Sequence, residues 1–267
     1  MKIGIFDSGL GGLIIAKTII KKLPKYDYVY LGDTKRVPYG NRSQQTVYEF
    51  TKQAVDFLFQ KQNCQLIILA CNTASSEALR KIQQQYLPKK HPNRRMLGVI
   101  VPTMEVTAAN TKTKRVGVLA TAGTVNSHIY KKELKKLAPK VQIFEQAAPL
   151  LVPLAEHDGS KFSDDILKNY LKPLISKNVD EIVLGCTHYP VFKNKIKKIA
   201  GKKVKVLSQD QIIPKKLAEY LKRHPEIEVK LSKKNKRDFL VTDLNQNLKE
   251  VLKRLFGKNL KFKKVDL

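Results

Sequence analysis

The chain has 267 residues, and its 42% hydrophobic content is enough for a core in one large domain or two of moderate size. Its 51 Lys and Arg residues outnumber its 23 Asp and Glu residues, so a formal net charge of +28 makes anionic partners such as nucleic acid worth considering. The sequence contains no apolar run of the ~20 residues that cross a bilayer and no signal-peptide core, and its three cysteines fit neither a disulfide framework nor a zinc site. We therefore expect a cytoplasmic protein with reduced thiols, no metal site and no membrane partner.

The lysines are dispersed over nearly the whole chain, without an arginine-rich arm, a zinc finger or basic strands interleaved with aromatic residues. A lysine-rich surface explains this distribution better than a nucleic-acid groove does. Nucleic acid is therefore considered as a partner but is not favoured.

The first elements are a strand over residues 2–6, a glycine-rich turn at 7–12 (DSGLGG) and a helix over 13–22. The glycines allow a ligand to approach the backbone, although their spacing is not the Gly-x-Gly-x-x-Gly of dinucleotide sites. Asp7 lies at the end of the strand, where it could cap the helix, bind an ammonium group or orient a proton transfer.

A second strand over 28–31 is followed by the long loop 32–40 (GDTKRVPYG). Pro38 fixes the backbone direction, Gly40 allows a close approach, and the amides between them could receive a carboxylate. The same residues are also ordinary turn formers, so the loop is predicted either to bind a ligand or simply to connect two elements.

Two stretches, 66–73 (LIILACNT) and 181–188 (EIVLGCTH), share one pattern. Each is an aliphatic run typical of a buried parallel strand, followed by a small residue, a cysteine and then helix-type sequence. The pattern predicts Cys71 and Cys186 at the carboxyl ends of strands and beside helix N-termini, where open sheets bind ligands and the helix dipole favours a thiolate.

A free cysteine is often only a small buried apolar residue, and we expect this of Cys64. The polar residues that flank Cys71 and Cys186 would be costly in a core, so they favour a site over simple packing. Two thiols in matching positions of two halves suggest an acid and a base that face each other. His188 stands two residues after Cys186, close enough to tune or relay its proton.

The remaining pattern is that of an α/β protein. A helix is expected over 43–63 and another from 73 to about 86, a second α/β series from Gly98, and an irregular segment over 149–157. Further strands are predicted at 115–119, 141–145, 204–207 and 239–242, with helices over 164–177, 212–223 and 244–256, and a hairpin turn at 233–237.

The final strands carry no cysteine motif, so we expect them to return to the first half of the chain. This predicts a discontinuous first domain of residues 1–97 plus 208–267 and a second domain of residues 98–207. The predicted fold is α/β, with two pseudo-symmetric parallel-sheet domains, helices on both faces of each sheet, and the active site in the crevice between the domains.

Four motifs between residues 7 and 190 resemble those of glutamate racemases, members of the cofactor-independent aspartate/glutamate racemase superfamily. They are DSGLGG at 7–12, GDT at 32–34 with PYG at 38–40, ACNTAS at 70–75 and GCTHYP at 185–190. The resemblance implies that one thiolate removes the α-proton of glutamate while the other thiol protonates the opposite face, without a cofactor, to supply D-glutamate for peptidoglycan.

The resemblance also implies residue roles. Cys71 would act on D-glutamate and Cys186 on L-glutamate, with Asp7 and His188 assisting the respective cysteines and Glu156 supporting the Cys186 side. The implied substrate contacts are Asp7, Ser8, Pro38, Tyr39, Gly40, Asn72, Thr73, Thr121, Thr124, Thr187 and His188. The expected partners are glutamate and a second copy of the chain in a homodimer.

Some features of the sequence separate glutamate from other substrates or depart from the family pattern. Aspartate-specific relatives are expected to differ after the second Cys-Thr pair, so Thr187-His188 favours glutamate. The segment 147–149 (AAP) stands where family members often have a cysteine, and 208–210 (SQD) replaces a more usual small acidic turn. The alternatives are a racemase of another acidic amino acid such as aspartate, and a basic nucleic-acid- or gyrase-associated regulator on the same fold.

Overall fold

The structure is a computed structural model that describes residues 1–157, 159–257 and 260–267. Its central strands are rich in Ile, Val and Leu and are buried on both faces, as parallel strands between helical layers must be. The strands in this part of the chain are β1 (Lys2–Asp7), β2 (Tyr28–Gly32), β3 (Cys64–Leu69), β4 (Arg95–Gly98), β5 (Arg115–Ala120), β6 (Gln142–Ala147), β7 (Glu181–Gly185), β8 (Lys205–Ser208), β9 (Arg237–Val241) and β10 (Phe262–Lys264).

Among the described residues these strands form two sheets in which every pairing is parallel. The first sheet has the order β10-β9-β2-β1-β3-β4 and the second has the order β6-β5-β7-β8. When the second sheet is numbered from its own first strand, its order is the same as that of the β2-β1-β3-β4 part of the first sheet. The predicted α/β fold with two related parallel sheets is therefore confirmed.

Helices connect the strands and cover the sheets. Side-chain caps explain where several of them begin: the side chains of Ser43, Thr121 and Asn245 each accept a bond from the backbone N–H three residues later. The described helices are α1 (Gly12–Lys22), α2 (Gln44–Asp56), α3 (Asn72–Glu77), α4 (Leu79–Lys81), α5 (Leu87–Lys90), α6 (Ile100–Asn110), α7 (Ala122–Asn126), α8 (Ile129–Leu137), α9 (Leu151–Glu156), α10 (Asp164–Ile175), α11 (Lys193–Ala200), α12 (Gln209–Arg223), α13 (Pro225–Glu228) and α14 (Gln246–Phe256).

Three local interpretations of the sequence were wrong. The segment at Gly98, expected to begin the second α/β series, instead ends β4, which pairs with β3 at the edge of the first sheet. The lysine-rich segment 233–237 is not a hairpin turn, because β9 pairs in parallel with both β2 and β10 and a hairpin joins only antiparallel strands. The segment 149–157, expected to be irregular, contains α9.

The two sheets share a continuous apolar core. One cluster of buried side chains includes Ile68 of β3 and Val183 of β7, together with Leu13 of α1 and Leu217 of α12. This packing holds together the two sheets whose strand ends form the cavity described below. Within the described residues, no helix combines the length and the apolar character that crossing a bilayer requires.

Candidate active site

A cavity of about 400 Å³ is lined by residues from both sheets. Ser8, Cys71, Thr121 and Cys186 follow β1, β3, β5 and β7, the two central strands of each related set. In each set the strand order reverses between these two strands, which is where parallel sheets bind ligands. The cavity is therefore built from matching ends of two related sheets.

Most residues singled out from the sequence come together here. Those that line the cavity are Ser8, Pro38, Tyr39, Gly40, Cys71, Asn72, Thr73, Thr121, Glu156, Cys186, Thr187 and His188. Asp7 and Thr124 are fully buried and do not line it, although each is hydrogen-bonded to a residue that does.

One wall of the cavity was missed by the sequence analysis. It is formed by Pro149, Leu150, Val152 and Pro153, at the start of α9. Leu150 remains about half exposed. The sequence signal for this wall was the apolar run before Glu156. Because the segment was expected to be irregular, nothing in the sequence indicated that these side chains face the cysteines.

Cys71 sits between β3 and α3 and is only 5% exposed. Its sulfur acts as the cap of α3, accepting a bond from the Ala74 N–H at 3.3 Å. The Ser8 hydroxyl lies 3.2 Å from the same sulfur. The turn after β1 and the turn after β3 therefore meet at this thiol.

Burial raises the pKa of the Cys71 thiol to about 12, with a further contribution from the nearby Asp7 carboxylate. The bonds from Ser8 and Ala74 oppose this shift but do not outweigh it. The start of α3 lowers the pKa of Cys71, as a helix N-terminus should, but desolvation is the larger effect and the net shift is upward. Cys71 is a protonated thiol at neutral pH.

The Asp7 carboxyl group has a pKa raised by burial, while the positive charge of His188 and the backbone N–H groups of Gly9 and Gly12 lower it in part. Its Oδ2 accepts a bond from Gly9 N at 3.0 Å, and its Oδ1 accepts one from Thr187 Oγ1 at 3.4 Å. A carboxyl group with a raised pKa next to a thiol can accept and return a proton.

Cys186 has a different environment. A 3₁₀ turn over Tyr189–Phe192 separates Cys186 from α11. The prediction that Cys186 lies directly at an α-helix N-terminus was therefore wrong. Its sulfur instead lies 3.9 Å from His188 Nδ1, and His188 Nε2 makes an ion-pair contact of 2.9 Å with Glu156 Oε1. The sequence thus brings a thiol, an imidazole and a carboxylate into one row.

The imidazole in this row is held in its charged form. Burial alone would lower the pKa of His188, but the bond with Cys186 and the Glu156 carboxylate together raise it to about 10. Burial would raise the pKa of Glu156, and the charged His188 outweighs this and lowers it. At neutral pH the row therefore contains an imidazolium between a carboxylate and a sulfur, to which it can donate a charge-assisted hydrogen bond.

Gly11 explains how closely the two halves of the site approach. A Cβ atom at this position would lie 2.4 Å from Thr187 Oγ1 and 2.7 Å from His188 Nδ1. Any larger residue would push the second cysteine loop away from the first. The glycine-rich turn therefore serves as a contact surface for Thr187 and His188.

Three threonines join the halves on another side. Thr73 Oγ1 lies 3.2 Å from Thr121 Oγ1 and 3.4 Å from Thr124 Oγ1, and Thr121 donates to Thr124 at 3.0 Å. Hydroxyl groups at the ends of β3 and β5 thus contact each other directly. Thr73 and Thr121 line the cavity, and Thr124 orients their hydroxyls from behind.

The loop after β2 contributes its backbone rather than the Tyr39 hydroxyl. That hydroxyl donates to Asp33 Oδ2 at 2.5 Å, and the same oxygen contacts Arg36 Nε at 2.7 Å. The peptide before Pro38 is cis, and the 3₁₀ turn over Tyr39–Asn41 follows it. A Cβ atom on Gly40 would lie 3.1 Å from Thr121 Cβ, so the glycine lets this turn reach the second half.

Comparison with known proteins gives consistent results. A family model for Asp/Glu/Hydantoin racemases matches residues 14–212. A glutamate racemase from Geobacter metallireducens is 39% identical over 97% of this chain and 93% of its own length.

Solved structures agree with this match. A glutamate racemase isoform from Bacillus anthracis superimposes with a TM-score of 0.89 at 32% identity and covers 100% of this chain and 97% of its own. A glutamate racemase from Francisella tularensis, solved with D-glutamate, does so with a TM-score of 0.88 at 31% identity, covering 99% of this chain and 97% of its own.

Proposed function

The chain belongs to the Asp/Glu/Hydantoin racemase family, and we propose that it interconverts L-glutamate and D-glutamate by passing the α-proton between two cysteines. The observation that carries the proposal is the cavity in which Cys71 and Cys186 follow matching strands of two related sheets. A base on one face of the α-carbon and an acid on the other are what inversion at that carbon requires. The D-glutamate formed would serve peptidoglycan synthesis.

Cys186 is the proposed base for the L-to-D direction. Its sulfur, as a thiolate, removes the α-proton of L-glutamate, and the His188 imidazolium 3.9 Å away is placed to donate a hydrogen bond to it. The protonated Cys71 thiol then donates its proton to the opposite face of the carbanion. The products are D-glutamate, a Cys186 thiol and a Cys71 thiolate.

The reverse direction starts from that second state. A Cys71 thiolate is disfavoured by burial and by the Asp7 carboxylate, so Asp7 accepts the Cys71 proton as the thiolate forms. Its own raised pKa makes this feasible. Ser8 and the Ala74 N–H, both within hydrogen-bond distance of the sulfur, stabilise the thiolate for the short time it is needed.

Substrate binding is assigned to the hydrogen-bonding groups around the cavity. Hydroxyls of Thr73, Thr121 and Thr187 and the backbone of the Tyr39–Asn41 turn surround a space that suits a small acidic amino acid. The nearby positive charge of His188 favours an anionic ligand. Glutamate is the proposed substrate, because the chain is similar over nearly its full length to glutamate racemases, one of them solved with D-glutamate.

The test is conversion of L-glutamate in deuterium oxide, followed by chiral chromatography and mass spectrometry. The D-glutamate formed should carry deuterium at the α-carbon, while unreacted L-glutamate stays largely unlabelled at early times. Cys71→Ala and Cys186→Ala should each abolish net racemisation in both directions, since each direction needs both groups. Cys64→Ala is the matched control, because Cys64 is a buried free thiol in β3 outside the cavity. Near-normal turnover by either cavity variant would refute the two-base mechanism.

Further proposals concern organisation and partners. We infer lobes of residues 1–97 plus 208–267 and of residues 98–207, a homodimer in solution, and a cytoplasmic location, where the three free cysteines would stay reduced. Limited proteolysis, analytical ultracentrifugation and cell fractionation test these three points. A nucleic-acid-binding role is not favoured.

A further inference from the structure

Asn72, Tyr130 and Gln209 form a closed triangle of hydrogen bonds. The two amides exchange a pair of bonds: Asn72 Nδ2 donates to Gln209 Oε1 at 2.8 Å, and Gln209 Nε2 donates to Asn72 Oδ1 at 2.8 Å. Tyr130 OH donates to Asn72 Oδ1 at 2.6 Å and accepts from Gln209 Nε2 at 3.1 Å. All three side chains are at most 2% exposed, so water does not compete for these bonds.

The triangle lies between the two cysteine loops. Asn72 directly follows Cys71 and lines the cavity. The Tyr130 ring packs against Gly185, the residue before Cys186, where a Cβ atom would lie 3.2 Å from the ring. Gln209 is the first residue of α12 and does not line the cavity. Burial, together with the nearby Cys186, raises the pKa of Tyr130, so its hydroxyl keeps its proton and remains a donor.

These bonds tie the orientation of the Asn72 amide to that of the Gln209 amide. An unrestrained asparagine can exchange its oxygen and nitrogen by turning the amide through a half circle. With the Gln209 amide oriented as seen, that rotation would direct the Asn72 NH₂ group at two donors, the Tyr130 O–H and the Gln209 N–H, and its oxygen at the Gln209 carbonyl. Restoring the bonds would require the buried Gln209 amide to turn as well, so Gln209 controls the Asn72 orientation. The bonds seen use the oxygen fully and one of the two Nδ2 protons. One Nδ2 N–H of Asn72 remains without a bond in this network, and its orientation depends on that of the Gln209 amide.

We propose that Gln209 is a positioning residue for glutamate racemisation, which acts by holding the Asn72 amide so that its remaining N–H binds the substrate. This inference rests on the proposed function, because it takes glutamate as the ligand of Asn72. Gln209 itself touches no substrate. It lies in the segment 208–210 (SQD), at the start of α12.

The decisive experiment is a double-mutant cycle between Gln209→Met and Asn72→Ala. Met is close to Gln in volume but can make neither amide bond. Gln209→Met should raise KM for both enantiomers by about tenfold, because the amide is no longer held in its binding orientation, with a smaller change in kcat. In the Asn72→Ala background the same substitution should leave KM unchanged. Calorimetric titration with D-glutamate yields the same cycle from Kd if the Asn72→Ala enzymes turn over too slowly.

The control is Gln65→Met. Gln65 is 1% exposed and donates one bond, from Nε2 to Asn93 O at 2.7 Å, in β3 away from the cavity. It should lower the unfolding temperature without changing KM. If Gln209→Met does not fold, Tyr130→Phe replaces it in the cycle, because it removes one bond to Asn72 and retains the ring.

The outcomes are distinct. An unchanged KM in folded Gln209→Met, or an equal rise in KM with and without Asn72, overturns the positioning role while leaving the racemase activity of the wild-type chain intact. A wild-type chain that converts neither enantiomer refutes the proposed function and this inference together. Because L- and D-glutamate are equally stable, kcat/KM must fall by the same factor in both directions, which serves as an internal check on the kinetics.

Discussion

Replacing Glu181 by Gln should stabilise the protein at alkaline pH and do little at acidic pH. Glu181 begins β7 and is 2% exposed, and neither of its carboxylate oxygens has a hydrogen-bond partner in the described part of the chain. Lys205 is its register partner on β8 but forms no ion pair with it there. Burial, with a smaller contribution from Asp180, raises the pKa of Glu181 to about 7, and Lys205 opposes this shift only in part.

The sign follows from linkage between proton binding and folding. The folded state binds the Glu181 proton more tightly than the unfolded state, so stability falls as pH rises from the unfolded pKa of 4.5 toward the folded pKa of about 7. At pH 8.5 the ionised carboxylate costs about 3 kcal/mol, and at pH 5 it costs under about 1 kcal/mol. Gln has nearly the same shape and no charge, so Glu181→Gln should recover this difference.

The measurement is urea unfolding followed by circular dichroism at pH 5, 7 and 8.5, with a reductant to keep the cysteines free. Glu49→Gln is the matched control, because it removes the same charge at an exposed site of a chain with net charge +28. For each variant, the gain in unfolding free energy over the wild type is measured at each pH, and the gain of the control is subtracted from that of Glu181→Gln. This corrected gain should be about 2 kcal/mol larger at pH 8.5 than at pH 5. Equal differences from the control at the two pH values would show that Glu181 is solvated or paired, contrary to the burial described here.

Glu156→Gln should shift the alkaline decline of kcat/KM to lower pH, because the Glu156 carboxylate helps to raise the pKa of His188 to about 10. A pH–rate profile identical to that of the wild type would show that Glu156 has no role in the reaction. Cys64→Ala should cost roughly 1 kcal/mol of unfolding free energy and leave kcat unchanged, as thermal melts and turnover would show. Racemisation should survive dialysis against a chelator and occur in protein with no visible absorption band, and a chromophore or a metal requirement would contradict the two-thiol chemistry. Binding to duplex DNA should be weak and should fall steeply with added salt, if the net charge of +28 serves only to keep the protein in solution. Salt-resistant, sequence-selective binding would contradict this interpretation of the charge.

The sequence by itself determined the α/β class and the positions of Cys71 and Cys186 after strands. These depend on local features: aliphatic runs of strand length and the polar or glycine residues that end them. Such patterns survive in any tertiary context, because the apolar runs have to be buried. The resemblance of the motifs at Asp7, Pro38, Cys71 and Cys186 then indicated which strand ends belong to one site.

The tertiary structure decided the contacts between residues that are far apart along the chain. Asn72 and Gln209 are 137 positions apart, and no local pattern predicts that their amides meet. The edge position of β4 and the parallel return of β9 depend on pairing between distant strands. The protonation of Cys71 depends on burial by surrounding segments and on the approach of Asp7, which outweigh the helix N-terminus visible in the sequence. Local residue preferences determine which elements form, whereas desolvation and side-chain partners exist only once those elements have packed together.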